Sequence, residues 1–117
     1  MNAKEIATRA AELVGGERNR THGECKGNHQ RIAALWNAYL SALHPGMPLI
    51  LQPQHVACMM VLLKIARTTF GAHNADDYVD AVGYAAIAGD IAERDAAIAD
   101  RITAHPNRDE DYKVGRT

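Results

Sequence analysis

The sequence predicts an all-α protein, a four-helix-bundle-like single domain. Three observations lead there. Four segments place apolar residues three and four apart, the spacing of one helix face. Glycine, proline or polar clusters separate those segments. Nowhere do β-branched residues alternate over a useful length, so strands have no support. Alanine is abundant and aromatics reach only 5%, which suits closely packed helices. At 117 residues there is room for one core. The helical domain is placed at residues 1–103, with a loose polar tail over 104–117.

Asn2 followed by Glu5 has the spacing of a capping box. Ile6, Ala10, Leu13 and Val14 then recur at helical spacing, and Gly15-Gly16 ends the first helix. A helix this short is stable only when docked. The stretch from Glu17 to Glu24 is polar and rich in donors. It reads equally as a solvated connector and as a ligand loop.

The second helix is expected from about Lys26 to Leu43. Ile32, Leu35, Trp36, Tyr39, Leu40 and Leu43 give it a broad apolar stripe. Trp36, the only tryptophan, reads as a core or interface anchor. Asn28 and Arg31 sit near its start, where backbone donors attract anions. His44-Pro45-Gly46-Met47-Pro48 breaks the pattern.

Pro53 suits the first turn of a third helix running to about Phe70. Val56, Met59, Leu63, Ala66 and Phe70 share one stripe; Met60, Lys64 and Arg67 share a neighbouring one. Thr68, Thr69 and Gly71 close it. Asn74 is a good N-cap for the fourth helix, and Asp76 and Asp77 suit its positive end. Val79, Val82, Ala86, Ile87 and Ile91 continue the apolar pattern toward Ile98 or Ile102. Gly83 and Gly89 inside it predict close approach of a helix or ligand.

Net charge is −1, so no basic field recruits nucleic acid strongly. No apolar run spans a membrane, and the charged N-terminus is not a signal peptide. A cytoplasmic location in a bacterial host cell is expected. Cys25 and Cys58 fit reduced thiols there. The wide stripe of the second helix and the thin supply of aromatics predict a homo-oligomer.

Chemistry concentrates on the third and fourth helices. Lys64 and Arg67 share a face of one; Asp77 and Asp80 share a face of the next, with Tyr84 a turn further on. One reading makes these interhelical salt bridges that hold register, and desolvation offsets most of the gain from such pairs. The other makes them a site, with cations for phosphate and carboxylates for ribose hydroxyls, a base edge or Mg²⁺. His22-x-x-Cys25-x-x-x-His29 is only a fragment of a zinc motif. Ser41, the lone serine, lies on an apolar helix, and Gly15-Gly16 lacks the lysine of a phosphate loop.

Two groups of residues carry a resemblance. Arg20-x-His22-Gly23, Asn28 and Arg31-Ile32-Ala33-Ala34-Leu35-Trp36-x-x-Tyr39-Leu40 form the first. Met59 to Arg67, then Asp77-x-x-Asp80-x-x-Gly83-Tyr84-Ala85-Ala86, form the second. Together they resemble a small phage and prophage all-helical family of unknown function, over about residues 3 to 93. A phosphofructokinase label given to some members does not suit so short a chain. His22 stands where the family has tyrosine. More remotely the pattern is similar to nucleotide-modification-associated domains and to MazG-like all-α nucleotide pyrophosphohydrolases. Those enzymes hold Mg²⁺ with two acid-rich motifs; this chain keeps something like the second, in Asp77 and Asp80, and lacks the first.

The resemblance implies a nucleotide-shaped pocket more strongly than it implies hydrolysis. The leading expectation is a phage-type protein that binds a nucleotide or nucleotide-derived immune signal, without a cofactor. Arg20, Lys64 and Arg67 would hold phosphate. Asn28, Asp77, Asp80 and Tyr84 would hold sugar or base, with His22 and Arg31 in the same ligand-binding set. No catalytic residue is assigned. One alternative is a Mg²⁺-dependent pyrophosphohydrolase with Asp77 and Asp80 as metal ligands. Another is a protein-interaction module whose charges are structural.

Overall fold

A computed structural model describes residues 1–16 and 25–104, with side chains from residue 27 onward in the second part. Four helices form: α1 (Ala3–Gly15), α2 (Cys25–Leu43), α3 (Pro53–Arg67) and α4 (Ala75–Ala104). No strand occurs among the described residues. The expected tail lies outside them from residue 105.

Capping chemistry sets the starts. Asn2 Oδ1 accepts from Glu5 N at 2.9 Å, and Glu5 Oε2 accepts from Asn2 N at 3.2 Å. Two backbone donors that the helix leaves orphaned are thereby satisfied. At α4, Asn74 Oδ1 accepts from Asp76 N at 3.1 Å. Pro53 opens α3, and Gln52 N donates to His55 Nδ1 at 2.9 Å just before it.

The end of α3 comes earlier than the sequence predicts. The helix stops at Arg67, three residues before Phe70. The Thr68 and Thr69 hydroxyls donate to the carbonyls of Ile65 and Ala66 at 2.6 and 2.7 Å. Gly71 then adopts φ +85°, a left-handed conformation that turns the chain toward α4. Phe70 is left 91% exposed on that corner instead of completing an apolar stripe.

The central element is α4. Most of α3 lies along it, α1 packs on it as well, and α2 rests chiefly on α3. This arrangement is more open than a closed four-helix bundle. Where α1 meets α4, a Cβ placed on Gly83 would stand 3.5 Å from Val14 Cγ2, so the glycine lies at the contact of the two helices, in ordinary van der Waals range. Gly89 faces open space and marks nothing of the kind.

Two stripes are corrected. On α3 the buried residues are Val56 and Ala57, with Met60, Val61 and Lys64 partly covered, whereas Met59 and Leu63 face outward. On α4, Val79, Ala81, Gly83, Ala88 and Ile91 are buried, while Val82 and Ala86 are exposed. Both helices are apolar on more than one face, so hydrophobic spacing alone did not select the packed one. Beyond Ile91 every described residue of α4 is exposed.

The connection from α2 to α3 is tied down by a single amide. Asn37 Nδ2 donates to Leu51 O at 3.0 Å, and Leu51 N donates to Asn37 Oδ1 at 2.9 Å. This two-bond clamp joins positions fourteen apart in sequence and holds the start of α3 against the body of α2.

Candidate functional site

The corner between α3 and α4 makes the two helices antiparallel neighbours, and the ion pairs cross in that register. Lys64 Nζ lies 3.1 Å from Asp80 Oδ2. Arg67 Nε lies 3.7 Å from Asp77 Oδ1. Helix ends favour this arrangement. The cations stand in the last turn of α3 and Asp77 in the first turn of α4, where the respective dipole ends stabilise them.

The two pairs are unequal. The side chains of Lys64 and Asp80 are 14% and 25% exposed, so this pair is largely shielded. Arg67 is 59% exposed, its partner Asp77 only 11%. The guanidinium therefore reaches over a sheltered carboxylate and still faces solvent. At 3.7 Å its contact is looser than a charge-assisted hydrogen bond of about 2.7–2.9 Å. A phosphate approaching from solvent would meet this fork before any other cation of the cluster.

Tyr84, half-buried, lies one turn beyond Asp80 on α4. Its ring meets His29 of α2 edge-on, with centroids 6.4 Å apart and planes at 65°. His29 is buried, and this contact links the first half of α2 to α4. Arg31 Nη2 donates to Asn28 Oδ1 on the same stretch of α2. The structure thus assembles Lys64, Arg67, Asp77 and Asp80 as one cluster. Asn28 and Arg31 form a separate pair, connected to α4 through His29 and Tyr84. Arg20 and His22 lie outside the described residues.

In the sequence His29 stands out only as part of a zinc fragment, whose other members have no described side chains. Its ring contact with Tyr84 is the feature that reading missed. A second missed feature is the aromatic content of the corner. His73 and Tyr78 lie with ring centroids 6.0 Å apart and planes at 35°, and Phe70 stands exposed in the same short connection. The signal was present, since Phe70, His73 and Tyr78 flank the charged residues in the chain.

For Mg²⁺ the donor set fits poorly. Among the described residues no group of three or more His, Cys, Asp or Glu side chains could hold a metal. Asp77 and Asp80 are each engaged by a cation, which a metal would have to displace. Among the described residues no helix is long and apolar enough to cross a membrane.

These features define a small helical protein with a paired-charge corner between two antiparallel helices. Residues 5–92 match the model of DUF6378, a domain of unknown function, and the chain belongs to that family. It is 42% identical over 82 residues to the Gene 55 protein of Mycobacterium phage L5, covering 70% of this chain and 49% of that protein. It is 32% identical over 83 residues to the Gene 55 protein of Mycobacterium phage D29, covering 71% and 50% respectively. The chain thus spans about half the length of the curated relatives it matches. No solved structure matches it.

Proposed function

We propose that the α3–α4 corner binds a nucleotide or nucleotide-derived signal, and that the protein acts by sequestering it as a homo-oligomer. One observation carries the reading: Arg67 presents a guanidinium to solvent over the sheltered carboxylate of Asp77, beside the Lys64–Asp80 pair that joins the same two helices. The fork geometry suits phosphate, and the exposed aromatics of the corner suit a planar base. Lys64 supplies a second cation behind Arg67, with Arg20 and His22, which lie outside the described residues, as further contributors. Asp77, Asp80, Asn28 and Tyr84 take sugar or base, and Arg31 belongs to the same set. No cofactor is needed for binding of this kind.

Calorimetric titration with a panel of nucleoside phosphates and cyclic and linear oligonucleotide signals tests the proposal. Saturable binding by at least one, lost in Arg67→Glu, is the expected result. Absence of heat from every member with a folded protein would reject it. Recovery of hydrolysed nucleotide with Mg²⁺, abolished in Asp80→Asn, would instead place the chain with the pyrophosphohydrolases.

A second reading has its own support. Every charge in the cluster already has an opposite partner, as a purely structural lock between α3 and α4 requires. In that case the protein is an interaction module, and the corner fixes register without taking a guest.

A further inference from the structure

We infer that the α2–α3 hairpin is the face on which two copies of this chain pair. In a chain that is 23% charged, no Asp, Glu, Lys or Arg occurs between Arg31 and Lys64. The structure does not hide this uncharged stretch. Leu35, Tyr39 and Leu43 on α2, Leu49 and Ile50 in the connection, and Leu62 on α3 are each between 63% and 71% exposed. Monomer surfaces carry charge interspersed with apolar groups, and extended apolar exposure marks an interaction face. Six large side chains exposed to this degree present roughly 800 Å², the share each partner contributes to an interface of standard size.

A second copy is the occupant that fits the chain's own energetics. Of the eight hydrophobic residues that are buried among the described ones, five are alanines; Val56, Val79 and Ile91 are the larger ones. Burying a Val or Ile side chain contributes only about 1.5–3 kcal/mol, and ordering each residue opposes folding by about 1–2 kcal/mol. So thin a core needs its cover while the chain folds, not on a later encounter. A second copy of the chain can supply that cover as it folds. The stretches 17–24 and 105–117 are polar in sequence and offer too little apolar surface to serve. A lipid surface is disfavoured because helices that lie on membranes carry Lys or Arg on their polar face, and residues 32–63 have none. Two uncharged faces can also be apposed without burying any charge, which suits the self-matching contact of a two-fold dimer. None of this depends on whether the α3–α4 corner binds a nucleotide.

Light scattering after gel filtration, with urea unfolding at several protein concentrations, tests the inference. The expected result is twice the chain mass and an unfolding midpoint that rises with concentration. Leu35→Glu combined with Leu62→Glu should yield a monomer or an unfolded chain. Ile98→Glu combined with Ile102→Glu, on the exposed far half of α4, should leave the dimer intact and serves as the control. A monomer with a concentration-independent midpoint would overturn the inference. So would a dimer that survives the hairpin variant or dissolves in the α4 variant. A monomer that sediments with phosphatidylcholine–phosphatidylglycerol vesicles would reassign the face to a membrane.

Discussion

Single side chains here do two kinds of work, and only one kind shows in the sequence. Asn2 and Asn74 act on donors two or three residues away, so their capping roles are legible from local spacing. Asn37 acts on Leu51, fourteen positions on, and nothing local distinguishes it from any polar residue on a helix. Asn37→Ala should lower stability by about 1–3 kcal/mol, because it leaves the partly buried polar groups of Leu51 unmatched. The midpoint of urea unfolding reports it, and an unchanged midpoint would show that the clamp is idle. Gly83 is the opposite case. An added methyl would lie 3.5 Å from Val14, ordinary van der Waals contact. The helix preference for alanine over glycine, about 1 kcal/mol, then decides the sign. Gly83→Ala should be neutral or stabilising, whereas Gly83→Leu should push α1 off α4. Circular dichroism with proteolysis of α1 separates these outcomes.

At the level of elements, the four helices and their starts follow from apolar spacing and caps, while the packed faces do not. Two apolar stripes run along α3, and the one led by Met59 and Leu63 looked at least as hydrophobic as the one that docks. Lys64 lies on the docked side because Asp80 neutralises it there. A hydrophobic count ranks that position as unfavourable, so the pairing partner had to be seen in space. The unequal burial of the two ion pairs makes a graded prediction. Lys64→Ala or Asp80→Ala leaves a largely shielded charge without its partner and should cost about 1–3 kcal/mol. Arg67→Ala removes a mostly exposed cation, and solvent screening limits the loss to about 0–1 kcal/mol. A double-mutant cycle should therefore give stronger coupling for Lys64 with Asp80 than for Arg67 with Asp77. Equal coupling would mean that the exposed arginine is as structural as the lysine, which favours the lock over the guest site.

Across the whole molecule, the electrostatics bounds how a phosphorylated guest is held. The net charge is −1, and the α3–α4 cluster is itself balanced, two cations against two carboxylates. No broad positive field draws an anion in from a distance, so affinity must come from short-range contact with Arg67 and whatever cations join it. Contacts of that kind weaken only gradually as the Debye length shrinks from about 14 Å to about 6 Å between about 0.05 and 0.3 M salt. Affinity for the best nucleotide should then fall by less than about tenfold over that range, a loss under about 1.4 kcal/mol. Calorimetry at three or four salt concentrations measures the slope. A much steeper fall would show that the guest engages a dense cationic surface absent from this corner. Suspicion would then move to cations outside the corner, such as Arg18 and Arg20, and Arg67 would keep only its place in the interhelical pair.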